Sequence, residues 1–127
     1  MDLATFIAQA RDRKSLSFRD LERRAGELNH AYIWRLEKGE QGAPSAATVQ
    51  KLGIALELTE RQQRIFELLV KAPTPIDDAL YRVMESRTDI PWDDIEPVAT
   101  MSFRGARPTT EDEWIKRIEA TRELLGF

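Results

Sequence analysis

Positions 17–39, SFRDLERRAGELNHAYIWRLEKG, hold the side chains best equipped for chemistry in this chain. They include the one histidine, His30, beside Asn29, Tyr32, Trp34, Arg35 and Lys38. That inventory suits hydrogen bonding and charge pairing rather than bond making, because no nucleophile stands with a base and an orienting group. Zero cysteines exclude disulfides and thiolate metal sites, and a single imidazole is poor material for a metal cluster or a triad. No glycine-rich phosphate loop occurs. The carboxylates Asp93-Asp94 and Glu111–Glu113 read as helix-start charges favoured by the helix dipole. The chain is therefore expected to be no enzyme and to need no cofactor or metal.

Composition narrows the class further. Hydrophobic residues make up 42% and charged residues 32% of 127, ordinary for a globular chain and too apolar for disorder. No apolar run approaches the roughly 20 residues of a membrane span. The start, MDLATFIAQARDR, lacks a signal-peptide layout. A cytoplasmic protein without a membrane partner is the expectation. The net charge of −3 is unevenly spread: residues 1–71 carry 12 Lys and Arg against 10 Asp and Glu, whereas residues 72–127 carry 7 against 12. A mildly basic part joined to an acidic one fits this split, as does a solvated surface.

Apolar residues recur at helical spacing along the whole chain, and strand signals are nearly absent. An all-α fold follows. Leu3, Phe6, Ile7 and Ala10 mark a first helix ending near Lys14. Ser17 caps a second, with Leu21 and Ala25 inward and Gly26 as its stop. Asn29 caps a third, with Ile33 and Leu36 inward, ending at Gly39. Ser45 caps a fourth, with Val49, Leu52 and Leu56. Thr59 and Gln62 have capping-box spacing and open a fifth that runs to about Lys71. Pro73-Thr74-Pro75 then disfavours helix and marks the boundary. The reading is a five-helix domain over 1–71, a linker over 72–76 and a small helical domain over 77–127. In the latter, Asp77 caps a helix with Leu80, Val83 and Met84. Pro91 and Pro97 suggest a turn and then a helix over about 97–103. Thr110 and Glu113, again at capping-box spacing, open a last helix with Trp114, Ile115, Ile118 and Leu125 on one side. About 50 residues are marginal alone, so burial against a second copy is a natural solution.

The segments LSFRDLERRAG, NHAYIWRLEKG and PSAATVQKLGIAL resemble the phage-repressor-like helix-turn-helix family, also called the Cro/repressor or XRE family. The resemblance covers more than half of the chain. It implies that the third helix enters the major groove of double-stranded DNA. By motif position, Asn29, His30, Ala31, Tyr32 and Arg35 would read bases. Ser17, Phe18, Arg19, Trp34, Lys38 and Ser45 would hold the backbone. Arg35 is the foremost reader, since its fork matches two guanine acceptors. Arg11 and Glu37 match the family's ion pair between first and third helices. Each residue also has a plainer reading: Arg35 and His30 as solvated surface, Tyr32 and Trp34 as packing or partner contacts. Three positions depart from the family pattern: Glu22 in place of Ala, Glu27 as an extra turn residue, and Trp34 in place of a small polar residue.

The tail segment FRGARPTTEDEW, Phe103–Trp114, is similar to the tail of the radiation- and desiccation-response repressors of Deinococcus-type bacteria. That resemblance implies a tail that makes a homodimer, and cleavage by a zinc metallopeptidase of the ImmA/IrrE type at the Phe103–Arg104 bond. Cleavage would remove the last helix, with Trp114, Ile118 and Leu125, from the pairing surface. The expected function is a dimeric repressor on a pseudo-palindromic operator. The alternative is an antitoxin whose acidic tail neutralises a toxin and which autoregulates its operon.

Overall fold

The computed structural model describes residues 1–103 and 105–126. They form eight helices: α1 Leu3–Arg13, α2 Phe18–Ala25, α3 His30–Glu37, α4 Ala46–Ala55, α5 Glu60–Lys71, α6 Asp78–Ser86, α7 Trp92–Ala99 and α8 Glu111–Leu125. No strand occurs among the described residues. The chain divides into two compact units, Met1–Pro75 and Ile76–Phe127. Among the described residues no helix is long and apolar enough to cross a membrane.

In the first unit α3 packs against α1 and α2, α2 also against α4, and α5 against α1 and α4. Phe6, Ile7, Leu21, Ile33, Leu52, Leu56, Ile65 and Phe66 are all but fully buried and make the core. Helix starts are set by side chains that accept from otherwise unpaired backbone N–H groups. Asp2, Ser17, Asn29, Ser45 and Thr59 each do so. The boxes Ser17–Asp20 and Thr59–Gln62 are reciprocal. Three of the helices end alike. Leu16, Glu40 and Leu58 return their N–H to the carbonyls of Arg11, Arg35 and Gly53, across a left-handed residue. That residue is Ser15, Gly39 or Glu57, with φ of 53°, 70° and 54°. Only the middle one is glycine, the residue for which this conformation carries no steric cost.

The second unit packs α6, α7 and α8 on one another, around Leu80, Val83, Met84, Ile95, Val98, Trp114 and Ile118. Four sequence expectations are corrected here. The helix expected over 97–103 is instead α7, Trp92–Ala99, with Pro97 inside it. Pro91 takes the capping position, Asp93 and Asp94 fill the acidic first turn, and burial of Ile95 and Val98 outweighs the donor that Pro97 lacks. Asp77 stands at the cap of α6 without a side-chain cap bond. Thr110 accepts from the Glu113 N–H, yet the Glu113 carboxylate turns back to Thr109, so the box is half formed. Leu125 is not on the buried side of α8: it is 50% exposed and Leu124 85%, while Trp114, Ile118 and Thr121 face inward. Trp114 and Ile118 therefore belong to the core of their own unit and are unavailable as a pairing surface.

Candidate nucleic-acid interface

The turn between α2 and α3 begins at Gly26, whose φ of +80° needs a residue without Cβ and whose N–H donates to the Glu22 carbonyl. Asn29 then starts α3 by accepting from the Ala31 N–H at 2.7 Å. Because Ile33 and Leu36 are buried, helical spacing turns Ala31, Trp34, Arg35 and Lys38 outward, and all four are exposed. His30 and Tyr32 are half-buried at the margins of that face.

The outward residues are held from several sides. Arg35 donates its Nε–H to Gln41 Oε1 at 3.1 Å. The Lys38 ammonium lies 5.6 Å from the centre of the Trp34 ring. Burial pushes the Tyr32 hydroxyl up from its usual range, partly offset by a hydrogen bond with Thr48 and the charge of Arg35. Ser45 caps α4 and donates its hydroxyl to Thr48 at 3.0 Å. At the start of α2, the Ser17 box consumes the Ser17 and Asp20 N–H groups. The N–H groups of Phe18 and Arg19 have no partner among the described residues. The Phe18 ring lies under the Arg11 guanidinium at 4.3 Å, and Arg19 is exposed.

Arg11 and Glu37 meet. Arg11 donates Nε–H to Glu37 Oε2 at 2.7 Å and Nη2–H to Oε1 at 3.1 Å, a bidentate pair joining α1 to the end of α3. The Arg11 side chain is 19% exposed and that of Glu37 6%. A third donor, Nη1–H, reaches the Leu16 carbonyl at 2.8 Å. Hydrogen bonding to Glu37 raises the Arg11 pKa from its already high usual value.

Two of the departures from the family pattern have partners here. The Glu22 carboxylate accepts the His30 backbone N–H at 2.6 Å, and the same oxygen lies 2.9 Å from His30 Nδ1. These bonds, backbone first, hold the Glu22 carboxyl below its usual range. Glu27, largely solvated, accepts from Lys51 of α4 at 2.6 Å, which lowers its pKa as well. Sequence reasoning missed both ties as well as Gln41. Glu22 was detectable as a charge in place of Ala, whereas nothing in the loop EQGAP marks Gln41.

The proposed cleavage bond falls at Arg104, outside the described residues. Phe103, on its near side, packs edge-on against Trp114 at 5.7 Å, with Arg107 and Arg117 over its ring at 5.1 and 5.4 Å. Among the described residues no group of three His, Cys, Asp or Glu could hold a metal ion.

A family model described as a helix-turn-helix domain matches residues 2–64. This span, α1 to the first turn of α5, is a helix-turn-helix domain of the XRE/Cro type, a non-catalytic DNA-binding module. The comparison with curated proteins returned no match.

Proposed function

We propose that this helix-turn-helix domain makes the chain a sequence-specific transcriptional repressor that binds a pseudo-palindromic operator as a homodimer. The observation that carries the reading is the outward face of α3. Ala31, Trp34, Arg35 and Lys38 are exposed there while Ile33 and Leu36 anchor the helix. A helix presented in this way fits the major groove, where base edges carry a distinct pattern of donors and acceptors. In this reading Asn29, His30, Ala31, Tyr32 and Arg35 meet base edges. Ser17, Phe18, Arg19, Trp34, Lys38 and Ser45 meet phosphates, through the open N–H groups of Phe18 and Arg19 and through cationic or hydroxyl side chains. Arg11 and Glu37 hold α3 at its angle.

The second unit serves pairing, and among the described residues the exposed Leu124 and Leu125 are the large apolar side chains left for it. A dimer links two half-sites and gains from their high effective concentration. Cutting at Phe103–Arg104 would detach α8 and return the protein to weak, single-site binding. The test is selection of binding sites from random duplex DNA with the full-length protein. The expected product is an inverted repeat with half-site centres about 34 Å apart, one helical turn. A selection that enriches no motif overturns the reading. Incubation with a metallopeptidase encoded beside this gene, followed by mass analysis, tests the cleavage, and a product ending at Phe103 is expected.

A further inference from the structure

We propose that Glu22 holds His30 in its Nδ1–H tautomer, leaving Nε2 as a bare acceptor that selects a base presenting an amino group, adenine or cytosine. The inference rests on α3 reading bases and adds what one position of that reading prefers.

A single oxygen of Glu22 faces two nitrogens of His30. Glu22 Oε2 lies 2.6 Å from the His30 backbone nitrogen and 2.9 Å from its Nδ1. A backbone N–H can only donate, so Oε2 accepts there. An ionised carboxylate has no proton to give, so the ring nitrogen facing the same oxygen must supply one. The Glu22 carboxyl is held below its usual range by these contacts and so is ionised at neutral pH. Neutral imidazole carries one N–H. With that proton on Nδ1, Nε2 bears a lone pair. Nε2 has no partner among the described residues, and the His30 side chain is 37% exposed.

Major-groove chemistry supplies the rest. Adenine N6 and cytosine N4 present donors, whereas guanine offers only acceptors and thymine an acceptor and a methyl group. An acceptor at Nε2 matches the first pair and opposes the lone pairs of the second. Glu22 is thus a positioning residue. It touches no base, yet it decides which hydrogen-bonding face His30 turns to the DNA. Removing it frees the ring to adopt Nε2–H, the tautomer that an unconstrained histidine side chain favours, and the preference should invert or blur.

His30 is the only histidine in the chain, so its ring signals need no assignment. The experiment uses the full-length protein, E22A and E22Q, at about pH 8, above the ordinary imidazole range. Long-range proton–nitrogen spectra should show Nδ1–H in the wild type. They should show Nδ1–H in E22Q too, because the His30 backbone N–H forces the Gln carbonyl oxygen to occupy the shared position. E22A should move toward Nε2–H. Selection on random duplex DNA should return adenine or cytosine at one position of each half-site for the wild type and E22Q. In E22A, discrimination against guanine and thymine there should fall roughly fivefold to tenfold, other positions keeping their preference. An Nε2–H ring in the wild type overturns the proposal, and that measurement needs no variant to fold. So does a tautomer change in E22A that leaves the selected motif unaltered. If the wild type enriches no motif at all, base reading itself fails and the proposal falls with it.

Discussion

Arg35 meets solvent with one of its donors already committed to Gln41. The two terminal nitrogens of its guanidinium can still approach guanine O6 and N7 together, and Gln41 holds the plane in which they do so. Arg35→Ala should cost about 1–3 kcal/mol on the best operator and much less on random DNA, as competition anisotropy would show. Arg35→Lys should rescue little, because an ammonium is a point charge without the fork. Equal losses on both DNAs would remove Arg35 from the reading set. Glu22 yields a second prediction at this scale. Its folded-state pKa lies below the ordinary value of 4.5, so its contribution to stability is present above that value and is lost as pH falls through the folded one. The difference in denaturation midpoint between wild type and E22A should shrink as the solution is acidified below the ordinary carboxylate value. Ala31, Trp34, Arg35 and Lys38 are legible from the sequence as one surface, because Ile33 and Leu36 fix which side is inward. The partners that hold α3 are not. Glu22 is eight residues from His30, and Gln41 lies in a loop without periodicity.

At the scale of elements, α3 is fastened at both ends: Glu22 holds its start, and the Arg11–Glu37 pair holds its last turn. Replacing Arg11 by Ala would leave the nearly covered Glu37 carboxylate without its partner and the Leu16 carbonyl without its donor. Thermal or denaturant melting should show a loss of about 3 kcal/mol, the lower end for an ion pair broken from one side, because Arg11 is not fully covered. A double change to Leu at Arg11 and Glu37 should cost distinctly less. The helix ends offer the opposite case. Ser15 and Glu57 hold left-handed backbone without being glycine, a conformation that costs a residue with Cβ about 1–2 kcal/mol. Ser15→Gly and Glu57→Gly should each leave melting unchanged or raise stability by up to about 1 kcal/mol, since glycine's extra unfolded-state freedom cancels part of the relief. Gly39 announces its helix end in the sequence, whereas Ser15 and Glu57 do not, because only the backbone reveals their left-handed turn. Pro97 misleads for a related reason. A proline is allowed in a first turn, but packing of Ile95 and Val98 carries α7 through it.

For the whole molecule, the question is how many recognition helices reach DNA together. Leu124 and Leu125 are exposed at the end of α8, so Leu124→Glu with Leu125→Glu should leave the core of the second unit intact. Light scattering should report a dimer for the wild type and a monomer for the double variant. Operator affinity should fall by about 10²- to 10⁴-fold with it. A monomeric wild type would remove the dimer from the reading. The sequence could suggest a second unit through Pro73 and Pro75 and the acidic balance beyond them. It could not show that Trp114 and Ile118 are consumed inside that unit, because an apolar stripe on one helix looks the same whether a neighbour in the same chain or a second copy covers it.

The placement of the three tryptophans has an optical consequence. Trp34 is the one in the first unit and is 42% exposed on the outer face of α3, while Trp92 and Trp114 belong to the second unit and Trp114 is fully enclosed. Emission from Trp34 should be red-shifted and open to a dissolved quencher, and that of Trp114 blue and shielded. A duplex laid over α3 would shield Trp34 and leave the two tryptophans of the second unit, Trp92 and Trp114, to emit as before. The unlabelled protein therefore carries its own report: quenching of Trp34 for occupancy of α3, and the shielded emission of Trp114 for integrity of the second unit.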